Sequence, residues 1–212
     1  MRYGRLDWLT PGELDPEQRR VYDLIVGTRA RDARTLPVVD DEGRLYGPFT
    51  AMLARPRIAE IMQTLGAAMR YEIDLSARAR EIATLAVAAA GRSDFEWYSH
   101  ELLARRAGLT DAELDALAEG RLASSFSDGE TLVWRVVTAL IGPGGDLDDE
   151  LFARARASIG DIGLVDLIAL VGHYEFLSRS LRVWRTPARD GHQSRFSGGQ
   201  LPGGQRTGER DQ

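Results

Sequence analysis

The sequence predicts an all-α protein, and three kinds of signal carry that prediction. Paired capping residues recur along the chain: Asp15 with Gln18, Thr110 with Glu113, and Ser127 with Glu130. Apolar residues at helical spacing follow them and are closed by Gly or Pro, as at Gly108 and Gly142-Pro143-Gly144-Gly145. Strand signals are scarce; only Val38-Val39-Asp40-Asp41-Glu42-Gly43-Arg44-Leu45 has the makings of a small hairpin.

Taken in order, Asp15 as N-cap and Pro16 at the first helical position open a helix running to about Arg31. Residues 32–48 read as irregular. A short helix over 49–54 ends before Arg55-Pro56, and a longer one over 57–70 follows. Ser76 caps a helix over 77–91, and Ser93 or Asp94 starts the next, 95–107, which Gly108 stops. Thr110 opens a helix to Glu119, and Ser127 opens one over 128–141. Asp148 starts another to about Ile159, and the last runs over 164–184. Beyond Thr186 the chain turns to Gly, Gln, Arg and Ser with almost no apolar content. Residues 187–212 therefore cannot offset the entropy of ordering and are expected to form a disordered tail.

Composition narrows the function. At 212 residues and 43% hydrophobic content the chain can bury one substantial core. Its longest apolar runs, 82–90 and 162–171, are too short and too interrupted to span a membrane. The first eight residues contain no apolar signal region, so a cytoplasmic protein without a membrane partner is expected. There is no cysteine, which removes disulfides, thiolate nucleophiles and cysteine metal sites together. All 27 basic residues are Arg, so Schiff-base lysines and P-loop phosphate binding are excluded. A net charge of −5 with interspersed signs argues against a nucleic-acid partner. Neither Gly-x-Ser-x-Gly nor a strand-linked Gly-x-Gly-x-x-Gly occurs.

The most informative segment is Ser93-Asp94-Phe95-Glu96-Trp97-Tyr98-Ser99-His100. Glu96 and His100, four residues apart on one helix face, lie about 5–6 Å apart at Cβ and share a stripe with Leu103 and Ala107. Half-buried, such a pair can hold a proton donor and acceptor near neutrality; on spacing alone it is equally an ordinary i,i+4 pair. Glu81, 19 residues before His100, falls on a preceding helix whose Ala83, Ala86, Ala88, Ala89 and Ala90 permit close approach. Its bland reading is a first-turn Glu favoured by the helix dipole. Arg80 could bind a substrate carboxylate or merely pair with Glu, while Trp97 and Tyr98 flank the segment. His173, on the apolar stripe of the last helix, reads as a core histidine. The Glu-x-x-His spacing of di-iron bundles occurs nowhere, and zinc lacks an obvious third ligand, so no metal is expected.

Arg80-Glu81, the Ala/Leu/Val-rich helix, Glu96-x-x-x-His100 and Ala107-Gly108-Leu109-Thr110 together resemble the carboxymuconolactone decarboxylase and alkylhydroperoxidase-D-like family. The likeness is firm over residues 77–120 and looser over about 46–185. It implies an alkylhydroperoxidase-D-like helical bundle over 46–186, preceded by an N-terminal helix and irregular connection (1–45) and followed by the tail (187–212). Where peroxidase members carry Cys-x-x-Cys-x-x-x-His, this chain has Ser93, Glu96 and His100. The resemblance therefore points to the decarboxylase branch: a cofactor-free lyase or isomerase acting on a small carboxylate or lactone. His100, Glu96 and Glu81 would do the acid–base work. Arg80, Trp97, Pro48 and Phe49 would border the substrate. The resemblance also implies a homo-oligomer, trimer or hexamer, with a dimer as the smaller alternative. A thiol-free relative of the peroxidases and a non-catalytic ligand-binding oligomer are the other readings.

Overall fold

The computed structural model describes residues 1–30, 36–188 and 194–196. Among them are eight α-helices: α1 (Pro16–Arg29), α2 (Pro48–Met52), α3 (Pro56–Tyr71), α4 (Ala77–Ala90), α5 (Asp94–Arg106), α6 (Asp111–Ala118), α7 (Asp128–Leu140) and α8 (Asp149–Trp184). The expected caps are in place. Asp15 accepts from the Gln18 amide at 2.8 Å, and Thr110 and Ser127 each accept from an amide three residues on, at 3.3 Å. Each satisfies a backbone donor that the first helical turn leaves without an intrahelical partner.

Two features depart from the expected order. The N-terminus forms a two-residue hairpin, β1 (Arg2–Tyr3) against antiparallel β2 (Leu6–Asp7), with Tyr3 opposite Leu6. Side chains hold it down rather than its short ladder. Tyr3 stacks on Trp8 at 4.7 Å, and the Trp8 indole donates to the Leu45 carbonyl at 2.7 Å. The Arg5 amide donates to the Trp184 carbonyl at 2.8 Å, so the chain start ties down the end of α8. The second departure is in α8, where the two expected helices abut at a break. Gly160, at φ +68°, leaves the helical region between them.

Helix α4 is the axis of the molecule and packs against α5, α6, α7 and α8. Every side chain from Glu81 to Ala88 is buried, because its alanines let neighbours approach on all sides. One apolar cluster fills the space among α4, α7 and α8 (Val87, Val136, Leu167, Leu170), and another lies among α4, α5 and α6 (Ile82, Leu85, Trp97, Leu114, Leu117). At the start of α4, Arg78 donates to Glu130 at 2.6 Å, to the Gly108 carbonyl at 2.6 Å and to Glu113 at 2.9 Å. One guanidinium thus fastens α4 to α6, α7 and the loop between α5 and α6.

Of residues 187–212, only 187–188 and 194–196 are among those described; His192 lies outside them. Residues 194–196 do have an anchor. Phe196 meets Trp97 edge-on at 5.5 Å and donates its amide to Asp94 at 3.2 Å, while Arg195 pairs with Asp115. One phenylalanine in a polar segment is too small a signal for composition to register.

Candidate functional site

The turn between α4 and α5 folds the two helices back on each other, so that Glu81 and His100 meet from opposite sides. Glu81 Oε2 lies 2.7 Å from His100 Nδ1, and both side chains are buried. Glu96 is also buried, but its nearer oxygen stands 3.7 Å from His100 Nε2, beyond direct hydrogen-bond length. The carboxylate that orients the imidazole is therefore Glu81. Glu96 faces the other ring nitrogen across a gap.

That gap opens on a small cavity of about 60 Å³ between α5 and α8. Glu96, Ser99 and His100 of α5 form one wall, and His173 and Tyr174 of α8 form another. Pro48 and Phe49 of α2 supply the apolar side, and Arg29 of α1 and Arg70 of α3 the basic one. Tyr174 packs edge-on against His100 at 4.9 Å and against His173 at 5.2 Å, which restricts tilting of both imidazoles. Among the described residues, three buried polar atoms of the wall have no partner: Ser99 Oγ, His173 Nδ1 and Arg29 Nε.

The electrostatics separate the two glutamates. Burial pushes Glu81 upward, but the charge and hydrogen bond of His100, with Arg80 and Arg70 behind them, hold it below the usual carboxylate range. Burial also pushes Glu96 upward and there prevails, although His100, Arg29 and Arg70 oppose it. One carboxylate is kept ionised and the other is biased toward its acid form, the division that acid–base sites require. Burial, reinforced by the charges of Arg29 and His100, lowers His173 to about 4, so that it lines the cavity as a neutral ring. Among the described residues, no group of three or more His, Cys, Asp or Glu side chains is arranged to hold a metal ion.

The structure sorts the residues singled out by sequence. His100, Glu96, Pro48 and Phe49 line the cavity, and Glu81 supports His100 from behind. Arg80 does not reach it. Its Nε lies 3.3 Å from Glu81 Oε1, and it borders a separate outer groove with Leu103 and Arg106. Trp97 turns the other way, into the cluster among α4, α5 and α6, and donates to Glu101 at 2.8 Å. An i+1 neighbour of Glu96 necessarily points about 100° around the helix, which is why flanking the pair in sequence does not mean flanking the cavity. His173, read as a core residue, is at the cavity wall. Sequence reasoning missed Arg29 and Arg70, though a signal existed. Arg29 continues the buried stripe Val21, Ile25 of α1, and Arg70 continues Ala59, Gln63, Gly66 of α3. An arginine on a buried stripe calls for an explanation that a surface arginine does not.

Residues 56–139 match the model of the carboxymuconolactone decarboxylase family. An uncharacterized peroxidase-related protein with an alkylhydroperoxidase AhpD core, from Ralstonia eutropha JMP134, superposes with a TM-score of 0.71 at 14% identity over 90% of this chain and 94% of that one. A substituted form of the debrominase Bmp8, in complex with 2,3,4-tribromopyrrole, gives 0.66 at 13% identity over 87% and 91%. A protein of unknown function from Agrobacterium tumefaciens gives 0.59 at 18% identity over 66% and 95%. At these identities the likeness establishes the fold. No curated protein matches the sequence. Residues 56–139 thus resemble the carboxymuconolactone decarboxylase family, and the helical fold is AhpD-like. Among the described residues no helix is long and apolar enough to cross a membrane.

Proposed function

We propose that this protein is a cofactor-free lyase or isomerase that moves a proton at a carbon next to a conjugated carbonyl, on a small carboxylate or lactone. The observation that carries this reading is the clamp on His100. With Nδ1–H donating to the ionised Glu81, the ring is held in the tautomer whose Nε2 lone pair faces the cavity. In isomerisation Nε2 takes the proton from the substrate carbon and returns it at another position; in decarboxylation an imidazole protonated from solvent delivers a proton to the carbon that carbon dioxide has left. Glu81 stabilises the imidazolium formed between the two steps. In the decarboxylating direction the electrons of the breaking C–C bond pass into the conjugated carbonyl, so that no external electron sink is required. Glu96, biased toward its acid form, is placed to donate a hydrogen bond to the developing enolate oxygen. The absence of cysteine leaves the thiol peroxide chemistry of the alkylhydroperoxidase type without its nucleophile.

The test is turnover of small unsaturated lactone acids, followed by carbon dioxide release and by exchange of the carbon-bound hydrogen. His100→Gln and Glu81→Gln should each lower the rate by about 10²–10⁴ with the helical spectrum unchanged. Wild-type rates in His100→Gln would end the assignment. Assembly into a homo-oligomer belongs to the same proposal, supported by exposed apolar residues along α8 (Ile162, Val165, Ile168) and α3 (Ile58, Ile61). A monomer mass by light scattering at micromolar concentration would refute it.

A further inference from the structure

The two oxygens of Glu81 have different neighbours. Oε2 lies 2.7 Å from His100 Nδ1, and Oε1 accepts from Arg80 Nε at 3.3 Å. The side chains of Glu81 and His100 are 3% and 6% exposed and that of Arg80 is 24% exposed, so the guanidinium sits where the buried pair meets the outer groove. Adjacent residues on a helix point about 100° apart, so this contact forms only because the long arginine side chain bends back over its neighbour. Its surroundings give it reason to. Arg70 and Arg106 border the same groove, and among the described residues of its lining Glu81 is the only acid.

That contact decides the charge of the buried pair. With His100 neutral, an ionised Glu81 gives the pair one net negative charge, a state that burial disfavours. The pair alone can shed that charge by taking up one proton, and the proton can rest in two ways. Either Glu81 becomes an acid that donates to Nδ1, so that the ring carries its own proton on Nε2, or the ring becomes an imidazolium. Both forms protonate Nε2 and remove the lone pair that faces the cavity. Arg80 instead makes the three groups neutral together without the extra proton. Burial raises Glu81, and His100, then Arg80, then Arg70 of α3 outweigh it. The other titratable groups around the pair are Glu96 of α5 and His173 and Tyr174 of α8. Burial biases each of them toward its neutral form, so none supplies a positive charge.

We propose that Arg80 is a positioning residue for the acid–base pair: from the outer groove its charge keeps Glu81 a carboxylate, which keeps the proton of the neutral His100 ring on Nδ1 and leaves Nε2 free to act as the base. This rests on the acid–base reading and adds to it the group that makes the base available. Arg80 then serves the reaction without touching the substrate, through Glu81 and the ring behind it.

The experiment is 15N NMR of the full-length protein labelled at the histidine nitrogens, whose resonances report which ring nitrogen carries a proton. The signals of His100 are assigned by their loss in His100→Gln. At pH 7 wild type should show His100 protonated on Nδ1 and free on Nε2. Arg80→Gln should lower the ratio of free to protonated Nε2 at least about tenfold, the smallest effect expected from removing an opposite charge within about 4–6 Å. Arg80→Lys should restore most of that ratio, because the role requires the charge and not the fork. The chain has no cysteine, so Arg80→Cys can be alkylated at that one position with 2-bromoethylamine or with iodoacetamide. The two products differ in charge on the same polypeptide, and only the charged one should show the wild-type pattern. A wild-type ratio in Arg80→Gln or in the iodoacetamide product overturns the proposal, as does a charged replacement that behaves like the neutral ones. Wild type with Nε2 protonated at pH 7 overturns this proposal together with the acid–base reading. A free Nε2 that does not respond to residue 80 overturns this proposal alone.

Discussion

Replacing Glu113 by Gln should cost this protein a large share of its stability at neutral pH and very little in acid. Glu113 accepts from the Thr110 amide at 2.8 Å, from Arg78 at 2.9 Å and from the Ser125 hydroxyl at 2.9 Å, all with little exposure to solvent. Burial works against its charge, but these donors and the Arg78 charge outweigh burial and hold the carboxyl at about 2 against an ordinary 4.5. At about 1.4 kcal/mol per pH unit, that displacement corresponds to a contribution on the order of 3 kcal/mol, an upper limit for a network shared with Glu130. The sign follows from the direction. The contribution is complete above pH 4.5, where the unfolded carboxyl is ionised, and it is lost as pH falls toward about 2. Urea unfolding by circular dichroism at pH 7, 5, 4 and 3 should show wild type about 2–3 kcal/mol more stable than the variant at the two higher values, with the gap closing below them. A constant gap across the series, or one below about 0.5 kcal/mol at pH 7, would refute the assignment of Glu113 as the ionised keystone of Arg78.

Three further outcomes are expected. His173→Gln should flatten the loss of stability that wild type suffers between pH 6.5 and about 4, where the unfolded chain takes up a proton that the buried ring refuses; pH-dependent melting curves of the two proteins check it. Gly47→Ala should destabilise by about 2–4 kcal/mol in urea titrations. Its φ is +63° and its Cβ would lie 2.3 Å from the Phe95 ring, so near-normal stability would show that α2 yields easily. Phe196→Ala should lower stability by about 1 kcal/mol and expose Trp97 to fluorescence quenchers, whereas no change in either would mean that residues 194–196 do not dock in solution.

The helices were legible because their starts are written locally. Asp15, Thr110 and Ser127 satisfy amides two or three residues away, so nothing distant can override them. The hairpin at Arg2–Asp7 was invisible because it depends on Trp8 reaching Leu45 and on Arg5 reaching Trp184, contacts that no local pattern contains. The site divides along the same line. The pairing of Glu96 with His100 follows from helix geometry, but its gap of 3.7 Å, and the tighter hold of Glu81, depend on how α4 sits against α5. Arg29 and Arg70 lie 41 residues apart and reach one cavity because α1 packs on α3 and α3 on α8, so their joint place in its wall is a property of the tertiary structure.

Glu81 stands between two spaces. One of its oxygens holds His100, whose other face belongs to the cavity, while the second lies beside Arg80 at the outer groove that Arg70, Leu103 and Arg106 also border. On the acid–base reading proposed above, the imidazole and carboxylate form a two-step path from the cavity to the groove on the far side of α5. A ligand that fills the mouth would not trap the proton it has given up, because that proton can leave through the back and be replaced from there. Isotope washout from a bound ligand would then run at a rate set by the groove, and bulky substitutions at Leu103 or Arg106 would slow it without touching the mouth.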